Sequence, residues 1–243
     1  MQVIGGEWLM QHKSRAIAIL GGMGPEASVY MYKLLIERAV SHFGAKNNDD
    51  FPEIVLYSVP VPDFISNDKS KKKALNMLIE KVKQLNKLNI ANLSIACNTA
   101  HVLLNELQNN TIIPFISMIK EVTDRVENEG ITKVGILGTP STIKSELYQK
   151  ALSKKGIESV IPSDGQIKIL ELVIRNVIAG KILRTDAKKL IHIANFLRKM
   201  GAEGIILGCT ELPLVFPKKY SLPVYNSVEI LSLELLRRYY QTN

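Results

Sequence analysis

Two cysteines are the residues of this 243-residue chain whose placement invites a chemical reading. Cys97 closes the apolar run in SIACNTAH, and Cys209 closes the one in IILGCTEL. A cysteine that ends a buried strand is ordinarily just a small buried residue. Two at matching places, each followed by small polar residues (Asn98 and Thr99; Thr210 and Glu211), ask for more. In open parallel α/β sheets, ligands bind beyond the carboxyl ends of the strands. Thiols brought to such ends from two facing halves would flank one carbon centre. One, as thiolate, could remove a proton from a face of a planar carbanion, and the other, as thiol, could return one to the opposite face. A free thiol ionises near pH ~8.5, and a helix N-terminus after each cysteine would lower that value. The sequence therefore predicts a depressed pKa for at least one thiol, with backbone N–H groups left to bind a substrate carboxylate.

Other reactive side chains carry less. His101, four residues after Cys97, raises a Cys–His hydrolase pair. Helical i, i+4 spacing instead directs the ring along the helix, which favours a supporting histidine. The two cysteines and four histidines (His12, His42, His101, His192) show no zinc-site spacing, so no metal is expected. The turn Gly21–Pro25, GGMGP, matches neither nucleotide-binding glycine pattern. It reads as a tight strand-to-helix turn at which Met23 and Gly24 approach a ligand. Thr139, at the equivalent place in the second half, is either a ligand hydroxyl or the turn residue before Pro140.

The elements that must position these groups alternate throughout. Strands are expected at Ala16–Leu20, Ile54–Ser58, Leu93–Ala96, Ile112–Ser117, Lys133–Leu137, Gly204–Leu207 and Leu222–Tyr225. Helices are expected at Glu26–Phe43, Lys69–Leu88, Ser141–Lys155, Ile167–Ile178, Asp186–Met200 and Ser227–Tyr240. Such alternation predicts parallel sheets covered by helices. It also repeats. IAILGGMGPEAS from Ile17 resembles VGILGTPSTIKS from Val134, the two cysteine segments correspond, and TIIPFISMIKEV from Thr111 parallels SLPVYNSVEIL from Ser221. The fold class expected is α/β, as two pseudo-symmetric Rossmann-like halves with the site in the cleft between them. The first half comprises 15–117 plus 220–243, with a returning C-terminal helix, the second 118–219, and 1–14 form an extension.

The net charge of +8 comes largely from the lysines of 69–87 and from Lys218–Lys219. On a helix the former occupy a solvated face opposite Ala74, Leu75, Leu78, Val82 and Leu85. Without aromatic or arginine clusters, this is not a nucleic-acid surface. No run approaches the ~20 apolar residues that span a bilayer, and the first residues do not form a secretory signal. Two cysteines without a disulfide framework fit a reducing, cytoplasmic setting.

ILGGMGPEA, ACNTAH and GCTELPL, in that order, closely resemble the aspartate/glutamate racemase family, from about Ile17 to the C-terminus. The resemblance implies a two-domain α/β fold with an amino acid in the cleft. It implies two-base catalysis through Cys97 and Cys209 without pyridoxal phosphate or metal, and a homodimer. It also makes Asn98, Thr99 and Thr210 binders of the α-carboxylate or amino group, with Met23 and Gly24 at the entrance. Glu211 then orients the second cysteine or the ammonium. Aspartate or glutamate is the default substrate. Two departures bear on it. The arginine usual before the second strand has Asn47 in its place, and the usual lysine of the second half is replaced near Ile178, where Lys181 or Arg175 could compensate. Losing a bidentate arginine removes a strong carboxylate clamp, which opens the way to other substrates. The alternatives are a related two-cysteine isomerase or lyase acting on a dicarboxylate or hydantoin, and a non-catalytic amino-acid-binding protein.

Overall fold

The computed structural model of the chain describes residues 15–63 and 70–241; the extension proposed at 1–14 lies outside them. Strand β1 (Ala16–Gly21) leads into α1 (Pro25–Phe43), followed by β2 (Ile54–Ser58), α2 (Lys71–Leu85), β3 (Ile90–Ile95) and α3 (Leu104–Gln108). Helix α4 (Met118–Asn128) then crosses to β4 (Lys133–Gly138), α5 (Pro140–Lys144), α6 (Leu147–Ser153) and β5 (Glu158–Val160). The chain continues through α7 (Asp164–Ile178), α8 (Arg184–Lys199), β6 (Gly204–Gly208), β7 (Val224–Asn226) and α9 (Ser227–Gln241). The strands form two parallel sheets, ordered β2-β1-β3 and β5-β4-β6-β7. β1 and β4 are internal in their sheets, and β3 and β6 pair with them in the same sense, so the internal repeat is structural.

Side-chain alternation along the strands assigns the faces. Ala18 and Leu20 pack with α2 and α3, whereas Ile17 and Ile19 pack with α1 and α9. In the second sheet Val134 and Ile136 meet α4 and α6, and Ile205 and Leu207 meet α7 and α8. Ala74, Leu78, Val82 and Leu85 are the buried stripe of α2, as its lysine pattern predicts. In α1 the buried residues are Ala27, Ser28, Met31, Leu34, Leu35 and Ala39, while Val29 and Val40 face outward.

Several expected elements differ. Residues 112–117 run beside β3 but make only one bridge, Leu93 with Phe115. Leu93 donates to the Pro114 carbonyl and accepts the Ile116 N–H, but Pro114 has no N–H to extend the ladder. On the opposite edge the Gln108 amide bonds the Thr111 and Ile113 carbonyls and the Phe115 N–H. The single helix expected over 141–155 is two, because Glu146 adopts a left-handed conformation between α5 and α6. The interval around 117–130, expected to hold the domain boundary, is itself the helix α4, packed on α6 and α9. The division placed at 219/220 groups β7 with the first half, but β7 is hydrogen-bonded to β6 in the second sheet, and α9 alone returns to pack on α1.

The turn after β1 has no room for a side chain at Gly22, whose φ is +87° and whose added Cβ would sit 2.5 Å from the Val59 backbone nitrogen. Its own N–H is held by Ser28 Oγ at 2.8 Å. Gly22→Ala should therefore lower stability by about 2–4 kcal/mol, read as a fall in the urea midpoint; an unchanged midpoint would show that the turn can move.

Candidate active site

Each cysteine follows a strand paired to the first strand of its half: Cys97 comes after β3, paired with β1, and Cys209 after β6, paired with β4. Both are free and buried. A cavity of about 210 Å³ between the halves reaches Cys97 and Thr99, and is otherwise lined by Gly22–Pro25, Val61–Asp63, Arg175 and Ile178. A larger hollow, about 740 Å³, lies at the opposite ends of β1 and β3 around Arg15, Asn86 and Ile112, and touches none of the residues read as chemical from the sequence.

Glu211 joins the two sides. Its carboxylate, in a residue only 3% exposed, accepts the Gly24 N–H at 3.2 Å on Oε1, across the cleft. On Oε2 it accepts the Cys209 thiol at 2.9 Å and the Thr210 hydroxyl at 3.0 Å. The approach at Gly24 is close: a Cβ there would lie 3.1 Å from Oε1 and 3.3 Å from Ile178, so those side chains would have to give way slightly. A second bridge is made of hydroxyls. Thr99 Oγ1 lies 2.9 Å from Thr139 Oγ1 and 3.0 Å from Thr142 Oγ1, and Thr139 accepts the Thr142 N–H at 3.0 Å as the N-cap of α5. The turn reading of Thr139 holds in geometry; its hydroxyl meets Thr99 and Thr142 behind the cavity rather than on its wall.

Asn98 sits behind the cavity rather than on its wall. Its Oδ1 accepts the Tyr148 hydroxyl from α6, its Nδ2 donates to Ser227 Oγ at 3.0 Å, and Ser227 donates to the Leu207 carbonyl at 2.8 Å. Tyr148, Thr142 and Ser227 are neighbours that the sequence reading missed. Thr142, three residues after an N-cap threonine, was the findable one. His101 is supporting: the Met118 N–H donates to Nε2, which leaves the proton on Nδ1 to donate to the Cys97 carbonyl at 2.8 Å. It clips the cysteine's strand end to the start of α4. Asn47 does not line the cavity; its backbone N–H and side-chain amide both donate to Asp50. Lys181 is exposed and off the cavity wall, whereas Arg175 and Ile178 are on it. Among the described residues, no group of His, Cys, Asp and Glu could hold a metal ion, and no helix is long and apolar enough to cross a membrane.

The expected depressed thiol is not found. Burial, followed by the Glu211 carboxylate, pushes Cys97 up to about 12, against the N–H groups of Ala100 and Thr99 that stabilise its thiolate. Cys209 is raised well above the ordinary thiol range by the same two causes, with the hydrogen bond to Glu211 and the charge of Cys97 adding to them. The donors anticipated after Cys97 are present, but they begin a 3₁₀ turn, Thr99–Leu103, and desolvation outweighs them.

The site thus belongs to an α/β protein of two half-repeats in which Cys97, from the first half, lines the cavity, while Cys209, from the second, is buried on Glu211 and off the cavity wall. The family model described as Asp/Glu/Hydantoin racemase matches residues 20–234, and the chain belongs to that family. It is an amino-acid racemase, an isomerase. The "Broad specificity amino-acid racemase RacX" of Bacillus subtilis (strain 168) is 28% identical over 228 residues, covering 92% of this chain and 97% of its own. An aspartate racemase homologue from Pyrococcus horikoshii OT3 superposes with a TM-score of 0.78 at 29% identity, over 93% and 99% of the two chains. The aspartate racemase of Picrophilus torridus gives 0.77 at 28%, over 92% and 94%.

Two outcomes follow from the electrostatics. Glu211→Gln removes a negative charge that raises both thiols, so the alkylation rate at about pH 9, near the ordinary thiol range, should increase; equal rates in variant and parent would assign the whole shift to burial. His101 is held neutral by burial, its pKa lowered to about 4. Between that value and the ordinary ~6.5 the unfolded chain binds the extra proton, so stability falls as pH drops through this window, by up to ~3 kcal/mol. Urea titrations of parent and His101→Gln at neutral pH and near pH ~4.5 should show the acid-side loss shrinking in the variant.

Proposed function

We propose that this racemase works through Cys97 and Cys209 as its two bases. The observation that carries the proposal is that one buried carboxylate, Glu211, hydrogen-bonds one thiol and raises both. The two sulfurs therefore share one electrostatic environment although they come from different halves. A thiolate on one side takes the α-proton and becomes a thiol. The thiol on the other side gives its proton to the opposite face of the carbanion and becomes the thiolate. The two cysteines exchange protonation states at each inversion, and the reverse reaction begins from the exchanged pair.

The amino acid's charged groups have places in this scheme. The Thr99, Thr139 and Thr142 hydroxyls offer donors for the α-carboxylate, and Glu211 with Thr210 faces the ammonium. Met23 and Gly24 form the entrance wall, and Asn98 steadies the Cys97 turn. Aspartate and glutamate, the default that the resemblance implies, are the reference substrates for any assay. A homodimer is part of the proposal. The exposed residues Val29, Tyr32 and Val40 share one face of α1, an apolar strip of the kind that subunit contacts bury.

Cys97→Ser and Cys209→Ser should each lower racemisation by at least ~10²-fold, the scale of a lost general acid or base, while circular dichroism stays that of the parent. Chiral chromatography of products, with solvent deuterium entering the α-position, provides the measure. Substantial turnover in either single variant would remove the two-base assignment.

A further inference from the structure

Asp63 and Arg175 face each other at the cavity mouth, one from each half, and the scheme above uses neither. Asp63 follows β2, Arg175 lies in the last turn of α7, and both line the cavity that reaches Cys97. Arg175 Nη1 donates to Asp63 Oδ2 at 2.9 Å across the cleft, and its Nε donates to Glu171 Oε1 at 2.9 Å along the helix. The cation on this wall is therefore already engaged by two carboxylates. Beside it, Ile178 faces the cavity with Met23, Pro25, Val61 and Pro62. The wall is apolar, and it is closed by a pair that neutralises itself.

We propose that the Arg175–Asp63 pair determines specificity, selecting amino acids with uncharged, apolar side chains because Asp63 occupies the place a substrate's side-chain carboxylate would need. This rests on the racemase reading above and names its substrate class. An incoming aspartate or glutamate meets Asp63 and Glu171 as like charges and must displace Asp63 from the guanidinium. A leucine or methionine side chain needs no such exchange and covers Ile178, Val61 and Pro62, gaining in proportion to the apolar area buried. Repulsion of the wrong substrate is a recognised route to specificity, and needs no new attraction to the right one.

The test is a panel of L and D leucine, methionine, aspartate and glutamate, assayed by α-deuterium exchange with the full-length parent, Asp63→Asn and Arg175→Met. The parent should show higher kcat/KM for leucine and methionine than for the acidic pair. Asp63→Asn removes the carboxylate held on the cleft side of the guanidinium while Glu171 stays on Nε, and the acidic-to-neutral ratio should rise about tenfold or more. Arg175→Met should lower that ratio below the parent's. A parent that prefers aspartate or glutamate, or a ratio unmoved in Asp63→Asn, overturns the inference and leaves the racemase reading standing. Exchange with no amino acid of the panel overturns both.

Discussion

A carboxylate buried between two half-repeats is the constraint on which this site depends. An unpaired charge at the position of Glu211 would cost several kcal/mol, and its donors come from both sides: the Gly24 N–H from the first half, the Cys209 thiol and Thr210 hydroxyl from the second. The set of donors is complete only when the halves are closed on each other, because Oε1 takes its N–H from Gly24. Closure brings the β1–α1 turn against the end of β6, with Gly24 close upon Glu211 and Ile178 beside it. The same charge reaches both sulfurs, so the group that joins the halves adds to the burial that already raises their thiolates.

Hydrogen-bonded links fix the cysteines more firmly than their own strands could. His101 joins the Cys97 carbonyl to the first residue of α4, the helix that crosses to the second half. The chain from Tyr148 through Asn98 and Ser227 to the Leu207 carbonyl ties α6, the Cys97 turn, α9 and β6 together. In these links each buried polar group meets a partner, which makes a closed network rigidifying; partly satisfied, it would be a liability. The break at Glu146 between α5 and α6 belongs to this design, because α6 starts at Leu147 with Tyr148 fully buried in its first turn.

What could be read from the sequence was what repeats. The strand ends, the two cysteines and the doubled order of elements follow from apolar runs and small-residue turns, and the sheets match them. What could not be read depends on partners distant in the chain. Pro114 has no N–H to extend the pairing of 112–117 with β3, and past its other end the Met118 N–H goes to His101 Nε2, a competing side chain that periodicity does not show. The short edge strand β5 has too few residues to carry a pattern. Asn47 stands where a carboxylate ligand was sought, but Asp50, three residues on, holds it in a local turn. The Arg175–Asp63 contact joins residues 112 positions apart, which no local spacing reveals. The thiol pKa values were misjudged for a related reason: capping donors are visible in a sequence, whereas full desolvation is a property of the assembled cleft.

Raised thiols are compatible with the proposed chemistry once the reaction's energetics are considered. Enantiomers of an amino acid have equal free energies in water, so a catalyst working in both directions gains from two bases of similar strength. A single strongly depressed cysteine would hold its proton poorly as an acid and would favour one starting state. Here burial acts on both sulfurs first and the Glu211 charge second, so both shift in the same direction. With Glu211 facing the ammonium, as proposed, an entering zwitterion would neutralise that carboxylate and relieve both thiols together. In the proposed two-base scheme the α-carbon would then lie between two bases that the substrate itself has made stronger acids, and burial would strengthen each charge interaction there. The halves therefore need to match in electrostatics as well as in topology, and the duplicated fold with one shared carboxylate meets both needs.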